Sequence, residues 1–376
     1  MEKRHLLIIG GGLAGLSAGC YAQRSGYKTT IIEHHLALGG VCTAWQRSPY
    51  LIDGCIHWLT GGAFTQLYNE LGILPEVPLR TLSSWMTYRN VQDATEFTVT
   101  RDLDALMTRL TAIAPSDAAE LCRMREGAKR IMAMQPPISN PGLGSFREQL
   151  RSLWALRGEL GFLAHYWKPL GTWVKENLQS ERLQRALVRL IPETAPALYL
   201  LVILGYLEQG LLSRPVGGTA AFRGALERAY RQLGGAVMLR ATVDEVLVEN
   251  GRACGVQLAD GTIVHGDAVV STASAPETVL RLLGGRYDAA ATRGRLADWK
   301  LFDPIVLASF GVEQAYREFP SLLIIDRLAP FEVGGRKLAH LYVRVYNDDP
   351  CFAPQGHTVV QSMLPTEYAW WATRSE

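Results

Sequence analysis

Two kinds of hydrophobic pattern alternate along the chain: short runs that are apolar throughout, and longer stretches in which apolar residues recur every three or four positions. Residues 5–10 (HLLIIG) form a short apolar run of the kind expected for a buried parallel strand. Residues 13–25 follow as a helix. Lys28 to Glu33, with Thr29, Thr30, Ile31 and Ile32, follow as a second strand, completing a β-α-β unit of about 30 residues. Thr81–Arg89 and Thr95–Thr100 predict two strands across an Asn/Asp turn. Asp102 is placed to cap a helix ending at Ala114, and Ser116 one ending near Met134. Residues 135–144 (QPPISNPGLG) have the composition of a linker. From Ser145 to Leu212 the period is helical, with Trp154, Phe162, Trp167 and Trp173 set among leucines. Pro215 to Gly218 interrupts it, and a helix over Ala220–Leu233 follows.

Strand-like runs come next: Ala236–Leu239, Val243–Glu249, Ala253–Leu258, Thr262–His265 and Ala268–Ser271. The dipeptides Asn250-Gly251 and Asp260-Gly261 are strong hairpin signals among them. Ile305–Phe310, Leu322–Ile325, Leu338–Val345 and Thr358–Leu364 complete the series. A helical block therefore interrupts α/β sequence on either side. Its most apolar run, Ala195–Leu207, contains Pro196 and Gly205 and is too short to span a bilayer.

Composition narrows the classes. The chain has 376 residues, enough for about two domains, and 48% are hydrophobic, which excludes intrinsic disorder. With 38 basic and 36 acidic residues there is no electrostatic case for nucleic acid. Six cysteines, at 20, 42, 55, 122, 254 and 351, make no CxxC pair and no cluster with histidine. No metal site is expected, and free thiols in a reducing, cytoplasmic compartment are. Lys3-Arg4-His5 and the small-residue run after it mimic a signal peptide, but glycines at 10, 11, 12, 15 and 19 make a poor hydrophobic segment.

Those same glycines meet a more demanding pattern. Gly10-x-Gly12-x-x-Gly15 follows the first strand and opens the helix. There the first glycine permits a tight turn, the second lets a pyrophosphate approach the backbone, and the third lets helix and strand pack closely. Glu33 stands 23 positions after Gly10, where a carboxylate accepts hydrogen bonds from a ribose and disfavours a 2′-phosphate. A dinucleotide site is expected, with Leu13 and Ala14 at the helix start and His34 just past the carboxylate. Six residues after Glu33 comes Gly39-Gly40, followed by Val41, Cys42 and a Tyr50-Leu-Ile-Asp53-Gly54 stretch.

The segment GGGLAGLSAGCYAQRSGYKTTIIEHHLALGGVCTAWQRSPYLIDGCIHWLTG resembles the phytoene desaturase and carotenoid isomerase group of flavin oxidoreductases, within the superfamily of the monoamine oxidases. A second block, PVGGTAAFRGALERAYRQLGGAVMLRATVDEVLVENGRACGVQLADGTIVHGDAVVSTA, resembles the same group's central FAD segment. Together the blocks cover residues 1–62 and 215–273. The resemblance implies an α/β fold: a Rossmann-like FAD/NAD(P)-binding domain (1–76 and 215–285) with an inserted mixed β-sheet and helical substrate domain (77–214 and 286–376). It implies FAD as cofactor, Gly39, Gly40 and Val41 against its diphosphate and ribityl region, and the Val243 backbone on its adenine side. It also implies a lipophilic polyene or isoprenoid substrate, with desaturation, saturation or cis–trans isomerisation as the reaction. Members carry a further glycine-containing stretch that closes over the flavin ring, and these 376 residues show none, so a fragment, a premature stop or a shortened variant is expected, with catalytic competence open. An amine oxidase-like flavoenzyme and a truncated, non-catalytic lipid-binding relative stand as alternatives.

Flavin chemistry needs orientation and a dry pocket more than an acid–base triad, and no triad is visible. His57 is the one catalytic candidate, with structural packing the stronger expectation for it. Asp53 is expected to serve a turn, and Cys42 and Cys55 to be inert thiols near the cofactor. His34-His35 is expected in a loop after the second strand. The Trp- and Leu-rich block 145–212 is expected to be core, with peripheral contact to a membrane as the alternative use of its apolar faces.

Overall fold

A computed structural model describes residues 3–74, 76–134, 157–287, 290–299 and 302–374. The first strand, β1 (His5–Ile9), lies at the centre of a four-stranded parallel sheet. On one side it pairs with β2 (Lys28–Ile32), and β2 with Ala236–Met238; on the other it pairs with Ala268–Ser271. Side-chain alternation along β1 assigns its two faces. Ile8 packs with Leu16 and Cys20 of helix α1 (Leu13–Arg24) and with Phe222, Ala225, Leu226 and Tyr230 of the helix Gly218–Gln232. Leu7 and Ile9 face the opposite way, onto Val243, Val246, Val256 and Leu258 of a three-stranded antiparallel sheet. Both faces of the parallel sheet are covered, which is why β1 is apolar at every central position. The β-α-β unit, the strand runs after residue 236 and the two hairpin turns thus form as the pattern predicts.

A second body is built on a six-stranded sheet ordered Ile305–Val312, Thr358–Pro365, Arg336–Tyr346, Leu322–Val333, Ser84–Asn90, Glu96–Thr100. All neighbours are antiparallel except Leu322–Val333 beside Ser84–Asn90, where Leu323 pairs with Thr87 and Asp326 with Asn90 in parallel. Helices 103–113, 118–134, 170–177, 181–187 and 197–208 pack against it around Trp85, Tyr88, Phe97, Leu121, Trp173, Leu204 and Ile324, the largest core of the molecule. Trp173 is buried there, as expected for the helical block, whereas Trp167 is exposed. The linker 135–144 and residues 145–156, including Trp154, lie outside the described residues.

Three sequence expectations change. Helix does not run to Leu212: Gly210, in the left-handed region at φ 70°, ends it after Glu208. Leu212–Pro215 then becomes a fully buried strand between Leu59–Thr60 and Leu79–Thr81. The run Thr81–Arg89 is divided, Leu79–Thr81 joining that small sheet and Ser84–Asn90 the large one. Leu322–Ile325 is the start of a strand reaching Val333 through an irregularity after Asp326. The hairpin of β3 (Ala44–Arg47) and β4 (Tyr50–Asp53), and helix α2 (Ala63–Glu70), carry no sequence expectation at all. Among the described residues no helix is long and apolar enough to cross a membrane.

Candidate functional site

At the carboxyl ends of β1 and β2 two glycine turns face each other, Gly10–Gly15 and Gly39-Gly40. Gly10 takes φ 95°, a conformation a side chain resists, and its amide donates to the Ile32 carbonyl at 2.9 Å. A Cβ on Gly15 would run into the carbonyl oxygen of Gly10, so the third glycine is what lets α1 sit against the turn. The helix starts at Gly12 with no side-chain cap and no acidic residue in its first turn. Its first amides, on Leu13, Ala14 and Gly15, have no carbonyl within the helix to bond, and they carry the positive end of the helix dipole. Ala14 is exposed and Leu13 half-buried, so this end meets solvent.

The glycine doublet meets this turn from the other side. Gly39 N–H donates to the Gly11 carbonyl at 2.8 Å, making a parallel bridge between Gly12 and Gly39. A Cβ on Gly40 would stand 3.2 Å from Cα of Gly12, so the two glycine turns meet backbone to backbone. Val41 turns its side chain almost wholly into solvent, at 89% exposure. Arg223, on the helix Gly218–Gln232, reaches this corner: its Nη1 donates to the Leu38 carbonyl at 2.7 Å, while its buried Nε has no partner.

Glu33 follows β2 directly and is buried. Its Oε2 accepts from the Gly11 amide at 2.7 Å, and its Oε1 accepts from the His35 amide at 2.9 Å with His34 Nδ1 3.1 Å away. Besides the ribose contact expected from its position, Glu33 therefore braces the glycine turn from below, a role the spacing alone did not show. His34 and His35 lie in the loop after β2, as expected, with their rings tilted by 38° and centroids 3.9 Å apart. Val243 packs with Ile9 and Ile32 at the same end of the sheet, and its carbonyl accepts from Arg281 at 2.9 Å.

The remaining candidates gather at a second junction. Asp53, at the end of β4, is buried: its Oδ2 accepts from the Thr219 amide at 2.7 Å, and its Oδ1 from the Cys55 amide at 3.0 Å and the Thr219 hydroxyl. This ties the β3–β4 hairpin to the start of the helix Gly218–Gln232, and the space Asp53 occupies explains why residue 218 lacks a side chain. His57 is half-buried. Its Nδ1 is buried without a partner, and burial, reinforced by the Arg344 charge, pushes its pKa down to about 4, so the ring is neutral at physiological pH. Its carbonyl accepts from Arg214 Nε at 2.9 Å. Arg214 in turn donates to Asp348 Oδ2 at 2.6 Å, and Arg344 to the Ser321 carbonyl at 2.8 Å. Asp349 accepts from the Gly217 amide at 2.7 Å. Burial pulls Arg214 down to about 10, while the two guanidiniums hold Asp348 below the usual carboxylate range against the opposing effect of its burial. Sequence reasoning missed Arg214, Arg344, Asp348, Asp349 and Arg223, whose partners lie more than a hundred residues away for Arg214, Asp348, Asp349 and Arg223. Only the break at Gly217-Gly218 marked the place. Among the described residues no group of histidine, cysteine, aspartate or glutamate is arranged to hold a metal ion.

Residues 8–71 match the family model of the NAD(P)-binding Rossmann-like domain. Over 332 residues, 83% of this chain, the sequence is 27% identical to a lycopene-forming phytoene desaturase of Pseudescherichia vulneris. Over 396 aligned positions, 96% of this chain, it is 25% identical to an all-trans-ζ-carotene desaturase of Myxococcus xanthus. The alignments span 64% and 72% of those two proteins respectively, so the chain matches only part of each, and less than two thirds of the first. The structure superposes on a putrescine oxidase with a TM-score of 0.62 at 14% identity, covering 100% of this chain and 78% of that one. The chain is thus similar in sequence to phytoene and ζ-carotene desaturases, carries a Rossmann-like domain over residues 8–71, and shares its fold with a putrescine oxidase.

Proposed function

We propose that this chain binds FAD at the facing glycine turns and desaturates a lipophilic polyene. The observation that carries the cofactor reading is the pair of facing glycine turns, joined at Gly12 and Gly39, beside an uncapped helix start and the unpartnered Nε of Arg223. A diphosphate suits each of these: the backbone approach needs no side chain to move, and the amides and guanidinium supply donors and positive charge. In this reading the amides of Leu13, Ala14 and Gly15 and the backbone of Gly39, Gly40 and Val41 hold the diphosphate. Glu33 accepts from the adenosine ribose with its remaining lone pairs, beside His34, and Val243 flanks the adenine. Residues 1–76 and 215–285 form the cofactor domain, and 77–214 with 286–376 the substrate domain.

FAD, when bound, supplies a two-electron acceptor for a hydride from substrate carbon. The chain's own contribution is to orient the cofactor, exclude water and keep the neighbouring His57 neutral. The polyene comes from the relatives, which are named for phytoene and ζ-carotene. Such a substrate resides in lipid, so we place the protein in the cytoplasm with peripheral contact to a membrane.

The deciding experiment is the visible spectrum of the purified chain, followed by FAD titration. A yellow protein, or one that takes up added FAD stoichiometrically, is expected; a colourless protein that binds none would overturn the cofactor reading. The loaded protein is then given phytoene in liposomes with a quinone acceptor, and primary amines with oxygen. Lengthening of the conjugated system, seen as a red-shifted polyene spectrum, supports desaturation. Oxidation of the amine alone would replace it with an amine oxidase activity.

A further inference from the structure

The cysteines at 42 and 55 flank the β3–β4 hairpin, and its register brings them together. Ala44 pairs with Asp53, Trp45 with Ile52 and Arg47 with Tyr50, so paired residue numbers sum to a constant that Cys42 and Cys55 also satisfy. The amide of Gly54 donates to the Thr43 carbonyl at 3.0 Å, carrying the ladder one step beyond the strands. Continued one step past the Thr43–Gly54 bond, the same register sets Cys42 opposite Cys55, at a non-hydrogen-bonded position of the extended ladder. There opposed Cα atoms approach to about 4.5 Å and their side chains lie on the same face. That separation is within the range a disulfide spans without backbone movement. The two thiols also shift each other's acidity in opposite directions, Cys42 upward and Cys55 downward.

From this geometry we propose that Cys42 and Cys55 form a reversible dithiol–disulfide site whose oxidant is a low-molecular-weight disulfide such as oxidised glutathione. The expectation that both are inert thiols is revised, and the proposal does not depend on FAD or on the substrate. The order of attack follows from access and acidity. Cys55 is half-buried and Cys42 buried. The neighbouring Cys42 thiol lowers Cys55 to about 7, against its burial, while Cys55 and burial push Cys42 up. The Cys55 thiolate therefore attacks one sulfur of the small disulfide, releasing one thiolate and leaving a mixed disulfide on Cys55. Cys42 gives its proton to solvent and attacks the Cys55 sulfur, and the second small thiolate leaves. Two protein thiols become one disulfide as one small disulfide becomes two thiols. The bond would lock the base of the hairpin two residues from Asp53, and next to the Gly39-Gly40 turn, whose Gly39 carbonyl accepts from the Cys42 amide at 3.0 Å.

The test uses the full chain with the exposed Cys122 and Cys351 changed to serine, equilibrated in glutathione buffers of rising oxidised fraction. Samples are then alkylated under denaturing conditions and mapped by mass spectrometry. Expected is the joint loss of two alkylatable thiols, with a linked peptide joining Cys42 to Cys55, while Cys20 and Cys254 remain free; reduction restores both. Cys42→Ser should instead accumulate glutathione on Cys55, and Cys55→Ser should leave Cys42 unmodified. If Cys42 and Cys55 both stay alkylatable in the most oxidising buffer, or if Cys42 is the residue that takes up glutathione first, the proposal fails. The map of the parent chain decides it even where a serine variant does not fold.

Discussion

The two glycine joints of this molecule are built from opposite materials. At Gly10–Gly15 and Gly39-Gly40 the two turns meet backbone to backbone, braced by the side chains of Glu33, which accepts from the Gly11 amide, Thr272, which donates to the Ile9 and Gly10 carbonyls, and Arg223, which donates to the Leu38 carbonyl. At Gly217-Gly218 the glycines make room for charged groups brought from distant parts of the chain: Asp53 from the hairpin and Asp349 from beyond the last pair of long strands, with Arg214, Arg344 and Asp348 behind them. The first joint offers open donors to an anion. The second consumes its charges internally, and so it joins the parallel-sheet body to the six-stranded sheet. Glycine spacing alone does not separate a ligand cradle from an internal joint; the partners do.

The sharpest way to break this contrast is to remove the carboxylate that two arginines share. Arg214 and Arg344 are nearly inaccessible, with side chains 9% and 4% exposed, so Asp348→Ala leaves buried positive charge without compensation. Loss of one partner of a buried pair costs about 3–5 kcal/mol. Urea unfolding should show that loss, and an effect under ~1 kcal/mol would mean that solvent reaches the joint. Replacing Arg214 by Met in the same chain should recover part of it, because a buried charge is then removed too.

At the other joint the expected damage is steric. Gly15→Ala drives a methyl into the Gly10 carbonyl and should cost up to about 3 kcal/mol, since backbone rather than a flexible side chain must give way. FAD uptake should fall with it, as the helix start moves off the turn. Glu33→Gln tests a smaller term. The amide side chain keeps one acceptor but presents NH2 to the Gly11 or His35 amide, so about 2 kcal/mol of stability is expected to go. If FAD affinity drops while stability does not, the carboxylate serves the ribose and not the turn; if only stability drops, the reverse holds.

This difference between joints also explains what could be read in advance. The β1-α1-β2 unit and the Gly10/Gly12/Gly15, Glu33 and Gly39-Gly40 positions follow from local period and spacing, because their partners lie within about 30 residues, whereas the pairing of β1 with Ala268–Ser271 and of β2 with Ala236–Met238 spans more than 200. The hairpin 44–53 escaped notice because Trp45, Gln46 and Arg47 are polar or exposed and show no alternation, and its turn carries no Asn-Gly or Asp-Gly. Leu212–Pro215 was hidden by the leucines continuing the helical period across Gly210. The Arg214–Asp348 contact spans 134 residues, and no local pattern encodes it. Arg223 illustrates the same limit inside the readable half. It lies on a predicted helix, but its position beside the Gly39-Gly40 turn depends on how that helix packs.

The smallest predicted effect concerns pH at the second joint. His57 titrates near 4 in the folded chain and near 6.5 unfolded, so between those values the unfolded state binds more protons. Stability therefore rises with pH through that window and is lost as pH falls through it, by about 1 kcal/mol between roughly pH 7 and 5.5. Other depressed histidines, His5 and His340, tilt the curve the same way, so the measurement is the difference between the parent chain and His57→Gln. Lowering pH should destabilise the parent more than the variant. Parallel curves would mean that the ring is hydrated and titrates freely, and that the buried, charge-saturated character assigned to this joint stops short of residue 57.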